Sequence, residues 1–426
     1  MKRSLDENFS DPRAWIEGLF RAAIDATHPD RCLRGTWPAR PPGRLGVIAC
    51  GKAAVPMAAQ AARHYGAPIS GLVIRPQSDD GATGLPAGFR EYAGRHPVPG
   101  SGSVRAAEAA LDFAAGLSES DLLLFLVSGG GSALMCLPPP GVGLEQKQAL
   151  TRSLLACGAT IAEINCVRTH LSRVKGGRLA MATTAAVETR VISDVPGNDA
   201  ALVASGPTLE DSSTLGDARA VLERYSITPS AAIARALQDP ENESPRFGAR
   251  REKDRYAIVA SGRQALEAAA AVGRASGLDV QVLGDHLQGD AAELAAEHAR
   301  MALGLAARGG RHCLLSGGET TVRLGRSPGT GGRNTEYALA LAIQLNGHPG
   351  IRALAADTDG IDGVGGHAGA WVEPDSLKRA VNQGLDPRSF LEANDSASWF
   401  QRIDGLFTTG PTGTNVNDFR ALLILD

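Results

Sequence analysis

The sequence has no block of basic residues, no apolar run near the length of a membrane span and no paired cysteines. Lys and Arg number 43 against 46 Asp and Glu, for a formal net charge of -3. A nucleic-acid partner needs a concentrated basic face, so none is expected. The longest apolar runs fall far short of the roughly 20 residues that cross a bilayer, so no membrane association is expected either. The N-terminus, MKRSLDENFSDPR, lacks the apolar core of a secretory signal. Cys32, Cys50, Cys136, Cys157, Cys166 and Cys313 form no CxxC pair and no Cys/His metal spacing. Reduced thiols in a cytoplasmic protein are the simplest reading.

At 426 residues the chain is too long for one ordinary core, which predicts two domains. Ser10-Asp11-Pro12 opens a helix by cap and first-turn chemistry, with Ile16, Leu19, Phe20, Ala23 and Ile24 on its buried face. LGVIAC (45–50), SGLVIR (70–75) and DLLLFLV (121–127) are apolar strands, and KAAVPMAAQAARHY and SVRAAEAALDFAAGL are helices. This alternation predicts βαβ units and a parallel sheet covered on both faces. Residues 238–254, QDPENESPRFGARREKD, are polar and nearly free of apolar side chains, which makes them the linker candidate. The alternation restarts with YAIVA (256–260), DVQVLG (279–284), RHCLLSGG (311–318), IRALAADTDG (351–360) and LFTTG (406–410). The expectation is two α/β domains, 1–240 and 250–426. FLVSGGGS and CLLSGGET give one echo between the halves.

Ligands of open α/β sheets collect at the carboxyl ends of strands. Those ends read CGKAA, SGGGSAL, SDVPGND, SGGET, GTGGRN, DTDGIDG and TTGPTGTN. Glycine dominates, with Lys52, Asp194, Glu319, Arg333, Asp357, Asp359 and Asp362 as the charged members. Backbone amides, two cations and several acids suit phosphate with a divalent cation. The candidate loop residues are Ser128, Gly129, Gly130, Gly131, Ser132, Gly317, Gly318, Glu319, Thr320, Gly332, Asn334, Thr412 and Asn415. SGGGSAL also fits a tight strand-to-helix turn with no ligand, and DTDGIDG an ordinary Asp/Gly turn. His96 and His170 read as structural histidines.

Two short matches mislead. GVIACGK (46–52) fits part of a P-loop, but Ala53 follows and Gly46 lies inside the strand. GVGGHA (363–368) fits G-x-G-x-x-A, but it neither directly follows a strand nor clearly opens a helix.

SGGGSALMCLPPPGVGLEQK, GATIAEINCVRTHLSRVKGGRLA and ISDVPGNDAALVASGPT resemble the N-terminal domain of the class II glycerate kinases. SGGETTVRLG, GTGGRNTEYALA, DTDGIDGVGGHAGA and GPTGTNVNDF resemble the MOFRL-type C-terminal domain of that family. The resemblance runs from about residue 13 to the end. It implies a Rossmann-like α/β domain, a smaller MOFRL-type α/β domain and an active site in the cleft between them. It implies ATP and Mg²⁺, D-glycerate as the small-molecule substrate, phosphorylation at the 2-hydroxyl, and a monomer or homodimer. Lys52, Asp194 and Arg333 match the family's proposed catalytic positions, and Asp194 and Asp359 are the metal candidates. Asn198 departs from the acid that relatives more often carry there. Some relatives have carried a hydroxypyruvate reductase label, which keeps an NAD(P)H-dependent reductase as the alternative. A catalytically inactive phosphometabolite-binding protein is a further one.

Overall fold

The computed structural model describes residues 9–66, 68–77, 84–325, 329–363 and 365–426. Two units emerge. One is Cys32–Val259; the other joins the N-terminal segment up to Arg31 to Ala260–Asp426. The expected division at 240–250, with the first residue starting the N-terminal domain, therefore shifts at both places.

The unit Cys32–Val259 is built on a sheet whose strands are β1 (Leu45–Cys50), β2 (Ser70–Pro76), β3 (Phe89–Gly94), β4 (Leu122–Val127), β5 (Ala186–Ile192) and β6 (Arg255–Ala260). Their order is β3-β2-β1-β4-β5-β6. β1 runs parallel to β2 and β4, β2 to β3, and β4 to β5. Every residue of β1 and β4 is buried, as continuous apolar runs require when both faces of a sheet are covered. The helix Ser101–Ala115 sets Ala106, Ala107, Ala110 and Ala114 into the same cluster as Ile48, Leu123 and Phe125. A second apolar cluster joins the helices Leu144–Ala156, Ile161–His170, Leu215–Arg224 and Ala231–Ala236.

The linker expected at 238–254 is fastened into this unit instead. Arg178 Nη2 donates to the carbonyls of Asn242 and Glu243, at 2.6 and 3.0 Å. Arg251, 6% exposed, donates to the carbonyls of Thr183 and Ala185, both at 3.0 Å. Polar composition here reflects a segment held by side-chain-to-carbonyl bonds rather than by apolar packing.

The second unit carries β7 (Asp279–Leu287), β8 (His312–Gly318), β9 (Ile351–Asp357), β10 (Gly369–Val372), β11 (Leu406–Phe407) and β12 (Asp418–Ile424), ordered β11-β10-β9-β12-β8-β7. It is α/β as expected, but its sheet is mixed. β7 and β8 are parallel, whereas β12 is antiparallel to both β8 and β9. The C-terminal run DFRALLI, not anticipated as a strand, fills the centre of the sheet with all seven residues buried.

The helix Pro12–Thr27 belongs to this unit. Asp11 caps it by accepting from the Ala14 amide at 3.0 Å, and Pro12 occupies its first turn. Its buried face is Ile16, Leu19, Phe20, Ala23 and Thr27. Phe20 meets Phe407 and Phe419 edge-on, with ring centroids 5.2 and 5.5 Å apart. This apolar stripe is what attaches the first helix to the sheet formed by the last strand. Phe20→Ala should therefore cost about 3–5 kcal/mol, read as a lower urea midpoint by circular dichroism. An unchanged midpoint would show that the helix is a passive appendage.

Candidate active site

In the unit Cys32–Val259 the site begins where β1 and β4 end side by side. The Ser128 amide donates to the Cys50 carbonyl at 3.0 Å, and the Lys52 amide donates back to the Gly129 carbonyl at 3.0 Å. The Ser128 hydroxyl accepts from the Ala53 amide at 2.9 Å. These crosslinks fix the first residues after both strands. Ser128, fully buried, is thereby a brace between loops and not a ligand group.

The amides of Gly129, Gly130, Gly131 and Ser132 make no hydrogen bond of normal geometry to another described residue. Four adjacent donors left over at a strand end are the raw material of an anion cradle. The glycines are required for different reasons. Gly130 adopts φ +85°, a conformation side chains resist. Around it there is ordinary room: an added Cβ would lie 3.5 Å from Lys52 Cγ and 3.4 Å from His96 Cδ2. At Gly131 an added Cβ would lie 2.6 Å from the Ala204 Cβ, so protein packing, not a ligand, demands that glycine. Ser132 Oγ lies 2.8 Å from Ser205 Oγ, which donates to Asn165 Oδ1 at 2.9 Å.

Asp194 follows β5 at the same end of the sheet as Ser128, because β4 and β5 run in parallel register from Leu122↔Ala186 to Val127↔Val191. Asn198 takes φ +59°, which asparagine tolerates better than most residues, and its amide donates to the Val195 carbonyl at 3.0 Å. His170 is fully buried, with ring nitrogens 2.9 Å from the Cys166 carbonyl and 2.9 Å from Glu243, as a structural histidine would be.

In the second unit the predicted residues gather around Arg333, at the start of the helix Arg333–Leu345. Its Nε donates to Asp418 at 2.6 Å, Nη1 to Glu319 at 3.1 Å and Nη2 to Asp357 at 2.8 Å. Burial opposes the guanidinium charge, but Asp418, Asp357 and Glu319 outweigh it and hold Arg333 well above its ordinary pKa. The residue is thus not a bare cation. Three carboxylates cancel most of its field and fix its direction.

Asp418, in turn, accepts from Asn334 Nδ2 at 2.8 Å, from the Thr320 amide at 3.2 Å and from Arg420. Burial pushes its carboxyl up, yet Arg333 and Arg420 prevail and hold it below the usual range. Arg420 is fully buried, with its guanidinium 4.9 Å from the centre of the Tyr337 ring. Asp362 serves the helix start instead, accepting from the amides of Asn334 and Thr335 at 3.0 and 2.8 Å. Its carboxylate lies 2.4 Å from where a Gly332 Cβ would stand, so Gly332 is needed for that cap.

Other predicted loop residues divide in the same way. Gly317 and Gly318 lie within β8, paired to Phe419 and Asp418, rather than in a loop. The echo between SGGGS and SGGET is therefore not a structural repeat: only the first leaves its strand into a helical turn. Thr412 donates through its amide to the Asp359 carbonyl at 3.2 Å and, through its hydroxyl, to the Thr358 carbonyl. Asn415 Oδ1 accepts from the Asn417 amide at 3.4 Å. Asp418 and Arg420 were not among the predicted residues. The available signal was a charged pair, Asp-x-Arg, inside an otherwise apolar run.

Neither misleading motif builds a nucleotide turn. Gly46 pairs with Ser70 and Leu123 inside β1. The described part of GVGGHA leads into the strand β10, not into a helix, and Val364 lies outside the described residues. A cavity of about 780 Å³ lined by Arg173, Arg178, Asp239 and Glu241 contains none of the predicted site residues.

No group of three or more His, Cys, Asp or Glu able to hold a metal occurs among the described residues. Magnesium does not require one, since one or two carboxylates plus substrate phosphates suffice. Asp359, 6% exposed, spends Oδ1 on the Ile361 amide at 2.8 Å. Glu319, Asp357 and Asp418 are committed to Arg333. The donor chemistry thus fits a metal that is held mainly by its substrate.

Two outcomes follow. Asp418→Asn leaves two guanidinium groups short of a buried carboxylate and should cost about 3–5 kcal/mol, measured by urea unfolding at neutral pH. Glu336 is raised to about 7 by burial, against the pull of its Asn394 hydrogen bond at 3.1 Å. Between its unfolded pKa and 7 the unfolded chain loses that proton while the folded chain keeps it, so its contribution to stability declines as pH rises through this window. Glu336→Gln should then be more urea-resistant than the parent at pH 8, with the gap closing toward pH 5.

Comparison with known proteins finds one family model for each end of the chain, the first of which includes most of the helix Pro12–Thr27. Residues 15–238 match the model described as a domain of unknown function, DUF4147, and residues 312–418 match the MOFRL family. The chain is 45% identical to a protein of Agrobacterium vitis provisionally named hydroxypyruvate reductase, over 97% of this chain and 94% of that one. It is 37% identical to the D-glycerate 2-kinase of Thermotoga maritima, over 96% of this chain and 97% of that one. The crystal structure of a glycerate kinase from Thermotoga maritima superposes with a TM-score of 0.83 at 36% identity, covering 96% of this chain and 98% of that chain. The chain belongs to the class II glycerate kinase family, with a DUF4147 N-terminal part and a MOFRL C-terminal part.

Proposed function

We propose that this chain transfers the γ-phosphoryl group of ATP to the 2-hydroxyl of D-glycerate, giving 2-phosphoglycerate and ADP. The observation that carries the reading is the run of four unbonded amides, Gly129 to Ser132, beside Lys52, in a chain related nearly end to end to a D-glycerate 2-kinase. Phosphoryl transfer asks a protein mainly for positioning and charge neutralisation. The amides suit phosphate oxygens, and Lys52, whose backbone N–H donates to the Gly129 carbonyl, would neutralise charge on the transferred group. Asp194 would orient the attacking hydroxyl or bind the metal, and Asp359 is the other metal candidate. Mg²⁺, when bound, would offset phosphate charge. Arg333 would bind the glycerate carboxylate or equatorial phosphoryl oxygens through the guanidinium N–H groups its three carboxylates do not use. With its charge largely compensated, Arg333 would contribute direction more than field.

Glu319, Thr320, Asn334, Thr412 and Asn415 support the Arg333 region and would act through its geometry. An ATP-consuming enzyme with reduced thiols belongs in the cytoplasm. Among the described residues no helix is long and apolar enough to cross a membrane.

One observation favours a second reading: the name of the Agrobacterium relative points to hydroxypyruvate reduction. A reductase needs a nicotinamide site, and neither GVIACGK nor the described part of GVGGHA forms a dinucleotide turn. The deciding measurement is ADP release with D-glycerate and Mg-ATP, set beside NADH and NADPH oxidation with hydroxypyruvate, with the phosphorylated product identified by NMR. The expected result is ADP and 2-phosphoglycerate without nicotinamide oxidation. Lys52→Ala should lower kcat by about 10²-fold or more at unchanged thermal stability; near-parental turnover would remove Lys52 from the chemistry.

A further inference from the structure

The helices Leu144–Ala156 and Ile161–His170, with the chain that follows them, bring Lys147, Arg168 and Lys175 to one narrow pocket. Ser132, Cys136, Thr151 and the prolines Pro97 and Pro99 form its other walls. Lys147 and Lys175 are 2% and 1% exposed. No Asp or Glu forms an ion pair with any of the three among the described residues. Lys147 Nζ donates only to the carbonyls of Arg168 and Leu171, at 3.2 and 3.0 Å, and Lys175 Nζ only to that of Met135, at 2.5 Å. The Arg168 guanidinium has no hydrogen bond to another described residue. Two buried lysines beside a partly exposed arginine, with no carboxylate paired to them among the described residues, are costly in desolvation and repel one another. Folded proteins keep such an arrangement where an anion completes it.

We propose that Lys147, Arg168 and Lys175 form an oxyanion site that receives a carboxylate or phosphoryl group past Ser132. The inference rests on the kinase reading, of which it names one subsite. Ser132 is the last member of the unbonded-amide run, so the pocket opens beside the phosphate loop. The cavity encloses about 10 Å³, room for one water-sized group. It takes the oxygen end of an anion, not a whole nucleotide.

The charges behave accordingly. Burial pulls Lys147 down to about 7, with Lys175, Arg168 and Arg178 pushing the same way and Cys136 opposing. Burial pulls Lys175 down to about 8, with Arg168 adding and Cys136 and Cys50 opposing. Arg168 falls to about 10 by burial, against Cys136. An anion restores the protonated lysines, so its affinity falls as pH rises from 6 to 9.

The test is calorimetric titration of the full-length parent and Arg168→Gln with D-glycerate alone and with inorganic phosphate alone, at pH 6.5. The expected result is at least tenfold weaker binding of one anion by the variant, at a melting temperature no lower than the parent's. Selective loss for glycerate assigns the site to the carboxylate, and selective loss for phosphate assigns it to the phosphoryl group. Unchanged affinity for both anions, or a parent that binds neither, overturns the proposal. Should Arg168→Gln fail to fold, Thr151→Asp supplies an internal carboxylate; it should raise the melting temperature and abolish the same binding, and parental binding by that variant overturns the proposal equally. If the parent releases ADP with D-glycerate while binding by Arg168→Gln is unchanged, only the subsite falls. If anion binding depends on Arg168 but no ADP is formed, the kinase reading falls and the subsite stands.

Discussion

One buried carboxylate organises the unit that contains the C-terminal sheet. Asp418 begins the central strand and accepts from Arg333, Asn334, Thr320 and Arg420. It thereby ties the last strand to the start of one helix and to the end of β8. A single carboxylate cannot compensate two guanidinium groups away from water. Asp357 and Glu319 complete the charge around Arg333, while Arg420 rests on the face of Tyr337. The result is an arginine held in one direction before any ligand meets it, which is preorganisation gained at the expense of net positive charge.

The other unit reaches its site by backbone means. Neighbouring parallel strands end together, and reciprocal bonds between residues 50–53 and 128–129 lock the two loops to each other. Positions that look alike in SGGGS then diverge. Ser128 is a brace, Gly130 supplies an unusual φ, Gly131 makes room for Ala204, and the amides of Gly129 to Ser132 donate to no acceptor among the described residues. Ser132 also lines the pocket where Lys147, Arg168 and Lys175 meet, with no carboxylate paired to them among the described residues. The unit with the C-terminal sheet thus gathers acids around its arginine, and the other gathers donors and cations.

Much of this was legible in the chain. Continuous apolar runs gave β1 and β4, and Asp11-Pro12 gave the first helix, because strand burial and helix capping are decided by neighbours in sequence. The glycine-rich strand ends marked the loop whose amides, Gly129 to Ser132, have no acceptor among the described residues. Three things were not legible. The polar stretch 238–254 looked like a linker because composition does not reveal that Arg178 and Arg251 bind its carbonyls or fasten it to distant residues. The DFRALLI strand carries Asp418 and Arg420 within its apolar run, and its reversed direction leaves no trace in periodicity. The compensation of Arg333 was hidden because its three carboxylates come from positions 319, 357 and 418.

The sequence by itself determined the α/β character, the phosphate-suited loops and the family, since each resides in local runs of residues. Tertiary structure alone decided which unit owns the first helix, which glycines serve packing, and which charges meet. Phe20 finds Phe407 and Phe419, and Lys147 finds Arg168 and Lys175, only after the chain folds. Pairwise burial and charge compensation depend on distance in space, and one-dimensional pattern carries no measure of that.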